Sequence, residues 1–166
     1  MRSWMLSLLL MAPSLAWADG LDGTWVLDLA ASDSNDPLLQ SQGVNWVVRQ
    51  AAKRTIVTQV IEDEGKVVTI DVKTSWRNTH YVLRVDGQER PESGEDGRTA
   101  EAAHYREADG SLVSHMRMIT PEGRPGIMVI HRQLKDGGRT MVQTTTWTEV
   151  GKPALVVHRV FHPAAD

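Results

Sequence analysis

The sequence predicts an all-β protein, and three features of its pattern support this prediction. After residue 54 most of the chain consists of short segments in which apolar and polar residues alternate, as in Val67–Ser75. Turn signals such as Asp86-Gly87 and Asp109-Gly110 separate these segments at short intervals. No helical pattern interrupts them. We therefore expect nine or ten antiparallel strands joined by hairpins, which close into a barrel or fold into a sandwich.

The first 18 residues have the pattern of a secretory signal peptide. Arg2 supplies a positive charge, an apolar segment follows, and Ala16-Trp17-Ala18 fits a cleavage site. The apolar segment is shorter than the roughly 20 residues that a membrane span requires. We expect residues 1–18 to be removed. Residues 19–166 would then form one β-barrel domain in the periplasm or outside the cell.

Composition excludes several classes of function. The formal net charge is −3, so no overall attraction to nucleic acid or anionic membrane is expected. The chain has no cysteine, which rules out disulfides, thiolate metal sites and cysteine nucleophiles. Its length suits one domain with a core of its own, or one that encloses a cavity.

The order of elements begins with one strand and two short helices. The first strand is predicted at Gly23–Leu29, followed by helices at 37–42 and 44–53 that meet at Gly43. Pro37 suits the first turn of a helix after an Asp36 cap. Further strands are predicted at 55–62, 67–75, 80–85, 99–107, 111–119, 127–134, 140–147 and 155–161, and residues 91–97 are predicted to form a polar loop.

Motifs for catalysis and metal binding are not evident. The six histidines have no zinc-site spacing, no clustering with carboxylates is apparent, and most are expected on the outward face of the sheet; they are His80, His104, His115, His131, His158 and His162. No phosphate loop, nucleophile elbow or dinucleotide fingerprint is found. The pattern therefore predicts neither an enzyme nor a cofactor or metal site. An isomerase, hydrolase or haem protein has the scattered histidines as its only support.

Two arginines stand out because each lies in the more apolar row of its strand. Arg132 shares a face with Met128 and Ile130, and Arg159 shares one with Val157 and Phe161. If these rows face the interior, two guanidinium groups are buried without an obvious acidic partner, which is costly. A ligand that combines a carboxylate with an apolar tail would satisfy both the arginines and the apolar rows.

Other roles for the two arginines remain open at this stage. An arginine near a strand end can extend its guanidinium to solvent. One of them could instead stack on Trp25 and close the end of the barrel. A shift of one residue in register would turn both outward.

The mature chain resembles the fatty-acid-binding protein family, the small calycin barrels that include the retinoid carriers, over residues 21–163. Five features carry the resemblance: Gly23-Thr24-Trp25 at the start, the helical hairpin with Gly43-Val44 at its corner and Arg49 beyond, Thr74-Ser75-Trp76-Arg77-Asn78-Thr79, Asp109-Gly110-Ser111-Leu112-Val113, and Arg132 followed by Arg159-Val160-Phe161. Two departures are the export signal on a chain of a cytosolic family and a longer segment at Thr120–Gly126.

This resemblance implies a closed, up-and-down barrel of ten antiparallel strands, with a helix-turn-helix lid after the first strand. It implies that Arg132 and Arg159 bind the ligand carboxylate. Phe161 occupies the position of a family tyrosine, so one hydroxyl donor is missing. Trp76 and Arg77 correspond to the residues at the ligand portal.

The resulting hypothesis is an exported monomer that carries a fatty acid or similar amphipathic carboxylate and touches membranes transiently. The expected cavity walls are Val68, Ile70, Val72, Tyr81, Leu83, Met116 and Phe161. The alternative is a lipocalin-like barrel with a filled interior that recognises a protein partner. Aromatic residues make up 5% of the chain, which suits a tightly packed aliphatic core.

Overall fold

The computed structural model describes residues 20–94 and 97–165. It contains ten strands, two α-helices and one short 3-10 turn: β1 (Gly23–Asp28), α1 (Asp36–Ser41), α2 (Trp46–Ala52), β2 (Thr58–Asp63), β3 (Val67–Lys73), β4 (Asn78–Arg84), β5 (Arg90–Ser93), β6 (Thr99–Arg106), β7 (Leu112–Ile119), β8 (Pro125–Lys135), the 3-10 turn Asp136–Gly138, β9 (Thr140–Glu149) and β10 (Leu155–Pro163). The expected signal peptide lies outside the described residues. Within those residues, neither helix has the length and apolar character needed to cross a bilayer.

All ten strands belong to one antiparallel sheet in the order β4-β3-β2-β1-β10-β9-β8-β7-β6-β5. Every strand pairs with its neighbours in sequence except at β4 and β5, which do not pair with each other. The first strand also pairs with the last, with Leu27 opposite Phe161. The prediction of an all-β protein with about ten antiparallel strands and two short helices is therefore confirmed. Hairpin connections explain this order, since they bring consecutive strands side by side.

The sheet curls until its two ends approach each other, but the ladder is not continuous around it. β4 and β5 are the edge strands. Beyond β4, Val85 forms an isolated parallel bridge with His104 on β6, and the Gly87 N–H donates to the His104 carbonyl oxygen at 2.8 Å. The arrangement is a curled half-barrel with a seam between β4 and β5.

The core is built from one face of most strands, in keeping with period-2 alternation. The larger buried cluster draws on β1, β2, β3, β4, β7, β9 and β10; its members are Leu21, Trp25, Leu27, Ile61, Val68, Ile70, Leu83, Leu112, Met141 and Phe161. Side chains this far apart in sequence meet because the curled sheet brings its strands around a common interior. Burial of this apolar surface is the main stabilising contribution in a chain without disulfides.

A second cluster lies beneath α1. Leu38, on α1, packs with Trp147 of β9 and Val157 of β10. Gly126 is required next to Trp147, because a Cβ added there would lie 2.1 Å from the indole Cη2. This cluster attaches α1 to the sheet.

A cap stabilises the start of α2, and ion pairs tie the two helices to each other. Asn45 caps α2, accepting a hydrogen bond from the Val48 N–H at 3.0 Å. Asp36 lies 3.6 Å from both Arg49 and Lys53. Asp36 is the first residue of α1 and not its cap, which is Asn35. α2 has no buried residue, so its packing on the sheet is slight.

One strand was not expected from the sequence. Residues 91–97 were predicted to form a polar loop, but Arg90–Ser93 is the short edge strand β5, paired with β6. Its sequence has no apolar row, because partial burial falls on Arg90 and Glu92. Pro91 is tolerated because an edge strand has one unpaired side. Pattern recognition based on apolar alternation therefore misses it.

Candidate functional site

A row of polar side chains crosses the inner wall of the sheet on three neighbouring strands. Arg132 of β8 and Arg159 of β10 both lie opposite Gln143 of β9. Side chains directly opposite each other on adjacent strands share a face. The register therefore brings the two arginines to the same side of the sheet, one on each flank of Gln143.

Arg132 is the more buried of the two, with 7% of its surface exposed. Its Nε donates to Oε1 of Gln59 on β2 at 3.4 Å, and Nε2 of Gln59 donates to Oε1 of Gln143 at 2.9 Å. Gln59 is itself 3% exposed. A chain of hydrogen bonds thus spans the interior from β8 through β2 to β9.

Neither arginine has an ion-pair partner within the described part of the chain. Burial lowers the pKa of Arg132 from its usual value to about 10, and the nearby Tyr81 opposes this only in part. Burial also lowers the pKa of Arg159. Both groups stay charged at neutral pH, and a guanidinium has five donors and no acceptor. The interior therefore contains two positive charges that an anion would stabilise.

The burial of Arg132 argues against one of its alternative roles. A side chain with 7% exposure does not extend its guanidinium into solvent. Trp25, the residue on which an arginine could instead stack, is 4% exposed, and its indole N–H donates to the Leu21 carbonyl oxygen at 2.9 Å. Arg159 is half-buried, in the same row as Val157 and Phe161 of β10.

Most of the expected cavity residues lie on the inner face. Val68, Ile70, Leu83 and Phe161 belong to the larger buried cluster, with Val72 packed against it. They form a packed wall beside the arginines.

Two of the expected cavity residues are less enclosed. Met116 is half-buried. Tyr81 is 46% exposed, although it lies on the same face of β4 as the buried Leu83. The inner wall is therefore more open at β4 and β7 than at β3.

Trp76 and Arg77 lie in the turn between β3 and β4, and both are exposed. Trp76 is 54% exposed, so it is not an ordinary core aromatic. Its indole N–H donates to the Thr55 hydroxyl, just after α2, at 3.2 Å. The turn is therefore attached to the end of the second helix.

Sequence reasoning missed Gln59 and Gln143. Both occupy inward positions of apolar rows: Gln59 precedes Ile61 by two residues, and Gln143 lies between Met141 and Thr145. The signal that identified the arginines, a polar residue in an apolar row, would have found them too.

The expectation that the histidines face outward is wrong for His104. It is 3% exposed, its Nδ1 lies 2.8 Å from Ser114 Oγ, and its Nε2 lies 2.9 Å from Glu92 Oε1. The sequence also showed no clustering with carboxylates, yet four further histidines have a carboxylate within 3.3 Å: His80, His131, His158 and His162. Each of these contacts joins a histidine in a strand to a carboxylate on a neighbouring strand or on a loop that passes beside it, so sequence spacing does not reveal them. In the described part of the chain no three such groups come together around a possible metal ion.

The fold and this interior define the class: a small calycin-type protein with ten antiparallel strands and two short helices after the first. A fatty acid-binding protein of Tyrophagus putrescentiae is 27% identical over 124 residues, covering 75% of this chain and 88% of that protein. Fatty acid-binding protein homolog 4 of Caenorhabditis elegans is 32% identical over 107 residues, covering 63% of this chain and 72% of the homologue. The chain belongs to the fatty-acid-binding protein family.

Solved structures agree on the fold. The REP1-NXSQ fatty acid transporter superposes with a TM-score of 0.69 at 22% identity, covering 88% of this chain and 97% of that one. No family model matches the sequence.

Proposed function

We propose that this protein carries a fatty acid or a similar amphipathic carboxylate in its interior, with Arg132 and Arg159 as head-group anchors. The observation that carries the proposal is the pair of inward guanidinium groups on either side of Gln143, without a carboxylate of the described chain to neutralise them. Arginine binds carboxylates through parallel N–H···O bonds, and such charge-assisted bonds are the stronger ones.

Gln143 supplies a donor that Phe161 cannot. The amide oxygen of Gln143 is already occupied by the hydrogen bond from Gln59. Its Nε2 hydrogens have no partner among the described residues, and the strand register sets Gln143 between the two arginines. A carboxylate placed there would receive an amide N–H in place of the missing tyrosine hydroxyl, so the three-point clamp is restored with a different third residue.

The apolar tail of the ligand would extend along the inner wall toward the half-buried Met116 and the exposed Tyr81. Val68, Ile70, Val72, Leu83 and Phe161 would bound it on the packed side. The ligand and the surrounding side chains would fill the seam between β4 and β5 and so complete the barrel. The role is that of a carrier and not of an enzyme, in keeping with the names of the relatives.

Entry would take place at the portal formed by α2 and the β3–β4 turn. Trp46, Val47 and Trp76 expose large apolar side chains there, which suits transient membrane contact, and Arg77 lies beside them. Binding of the protein to anionic vesicles should weaken in Trp46→Ser/Trp76→Ser. Equal binding by this variant would remove membrane contact from the proposal.

Export would follow from the signal at residues 1–18. The mass of protein recovered from an exporting host should correspond to a chain that begins at Asp19. A full-length mass would contradict cleavage. The carrier is proposed to act as a monomer in the periplasm or outside the cell.

The test of the carrier function is a calorimetric titration of delipidated protein with oleate. We expect Arg132→Met/Arg159→Met to bind roughly 10- to 100-fold more weakly than wild type, because hydrogen bonds to a charged group are lost. The matched control is Arg84→Met/Arg117→Met, which removes the same charge from exposed positions. Its affinity should match that of wild type.

Two results would contradict the proposal. Equal oleate affinity in the interior double variant and wild type would show that the arginines are not the anchors. Absence of oleate binding in wild type would favour the alternative, a filled barrel that recognises a protein partner.

A further inference from the structure

A second polar cluster lies on the inner wall and has no part in the anchor described above. It consists of Glu92 on β5, His104 on β6 and Ser114 on β7. His104 and Ser114 are each 3% exposed. The His104 ring lies 2.8 Å from Ser114 Oγ through Nδ1 and 2.9 Å from Glu92 Oε1 through Nε2.

The chemistry of the three groups sets the direction of their hydrogen bonds. An ionised carboxylate only accepts, so the His104 Nε2–H donates to Glu92. In a neutral imidazole Nδ1 is then the acceptor, and the Ser114 hydroxyl donates to it. The hydroxyl hydrogen is thereby used, and the lone pairs of Ser114 Oγ remain. Within the described residues no donor contacts them.

This arrangement differs from that of a serine hydrolase. In the Ser-His-Asp triad the serine contacts Nε2 and the carboxylate contacts Nδ1. Here the two ring nitrogens are exchanged. The cluster is better described as a fixed acceptor, in which Glu92 orients His104 and His104 orients Ser114.

Ser114 lies close to the proposed anchor. On β7 and β8, Ser114 is opposite Ile130, and Leu112 is opposite Arg132. Ser114 and Arg132 are therefore diagonal neighbours on the same face, with about 7–8 Å between their backbones. An acyl chain whose head group rests on Arg132 and Arg159 would pass within reach of Ser114 Oγ.

We propose that Ser114 Oγ accepts a hydrogen bond from a hydroxyl group on the acyl chain, so that the site prefers hydroxylated fatty acids to their unsubstituted parents. This inference rests on the proposed carrier function. A hydroxyl is required because it can donate. A keto or ether oxygen at the same carbon only accepts, and it would face the lone pairs of Ser114.

The test measures affinities for stearate, for hydroxystearates with the hydroxyl at successive positions, and for the matching oxostearates. The measurements are made at about pH 8, above the usual titration range of imidazole. We expect at least one hydroxystearate to bind about three- to tenfold more tightly than stearate, the gain from one added hydrogen bond. The matching oxostearate should show no gain.

Ser114→Ala should abolish this preference and leave the affinity for stearate unchanged, which also shows that the variant is folded. Ser114→Thr keeps a hydroxyl and should retain the preference. The inference is overturned if no hydroxystearate exceeds stearate, if the oxostearate gains equally, or if the preference survives in Ser114→Ala. Failure of the carrier function itself would be distinct, because stearate would then not bind at all.

Discussion

Replacing Arg132 by methionine is expected to make the ligand-free protein more stable. The guanidinium is buried, with 7% exposure and no carboxylate partner in the described chain, so folding removes its charge from water without an ion pair. Methionine is similarly long, flexible and uncharged, so it removes the desolvation cost without leaving a large cavity. The same variant should bind fatty acid more weakly, because one anchor is lost.

The lowered pKa gives the size of this effect. Burial lowers the pKa of Arg132 well below its usual value, to about 10, and one pKa unit corresponds to about 1.4 kcal/mol. The charged side chain therefore costs the folded state about 3 kcal/mol at neutral pH. Loss of the hydrogen bond to Gln59 offsets part of this, so we expect a net gain of about 1–3 kcal/mol in the free energy of unfolding.

The gain should also depend on pH. Because the folded pKa lies below the unfolded one, the unfolded state binds more protons between the two values. The cost of the buried charge is therefore complete below about pH 10 and shrinks as pH rises above it. The difference in stability between wild type and Arg132→Met should narrow over that range.

The assay is urea unfolding of delipidated wild type, Arg132→Met and Arg117→Met. Arg117 is an exposed arginine paired with Glu89, so its replacement should change stability by about 1 kcal/mol or less. A loss of about 1 kcal/mol or more in Arg132→Met, with Arg117→Met near wild type, would refute the reasoning. Arg132 would then be a structural residue and not an unneutralised ligand anchor.

Two further predictions concern the scaffold. Gly126→Ala should lower the free energy of unfolding by about 1–3 kcal/mol, because its Cβ would lie 2.1 Å from the buried ring of Trp147; an unchanged Tm would contradict this packing. Burial raises the pKa of Asp63, but hydrogen bonds from the Leu21 N–H and the Arg106 guanidinium outweigh it, and the pKa falls below 3.8. The stabilising contribution of this carboxylate should be complete well above pH 3.8 and be lost as the solution is acidified below that value. The free energy of unfolding should therefore fall less steeply with decreasing pH in Asp63→Asn than in wild type. An identical pH dependence in the two proteins would contradict this prediction.

Much of the fold was accessible from sequence because strand periodicity and turn chemistry are local signals. Val67–Lys73 alternates clearly and ends in recognisable turns, and it forms a strand within two residues of the predicted bounds. The inward position of Arg132 follows from the same rule, since its apolar neighbours Met128 and Ile130 must face the core. The largest difference in element bounds is at the start of β2, which is predicted at residue 55 and begins at Thr58.

The remaining features depend on contacts between strands that sequence spacing does not encode. β5 has no apolar row, so only its pairing with β6 makes it a strand. His104 looked like a solvated residue until Glu92 and Ser114 were brought to its two ring nitrogens from separate strands. The link from Arg132 to Gln59 joins residues 73 positions apart.

The central claim is that the interior binds a carboxylate between Arg132 and Arg159. Native mass spectrometry of protein purified from its exporting host, followed by extraction and lipid analysis, tests it most directly. The claim predicts a bound fatty acid or related carboxylate in wild type that is absent from Arg132→Met/Arg159→Met and present in Arg84→Met/Arg117→Met. A ligand-free mass that does not shift on addition of oleate, or a lipid retained equally by the interior double variant, would contradict it.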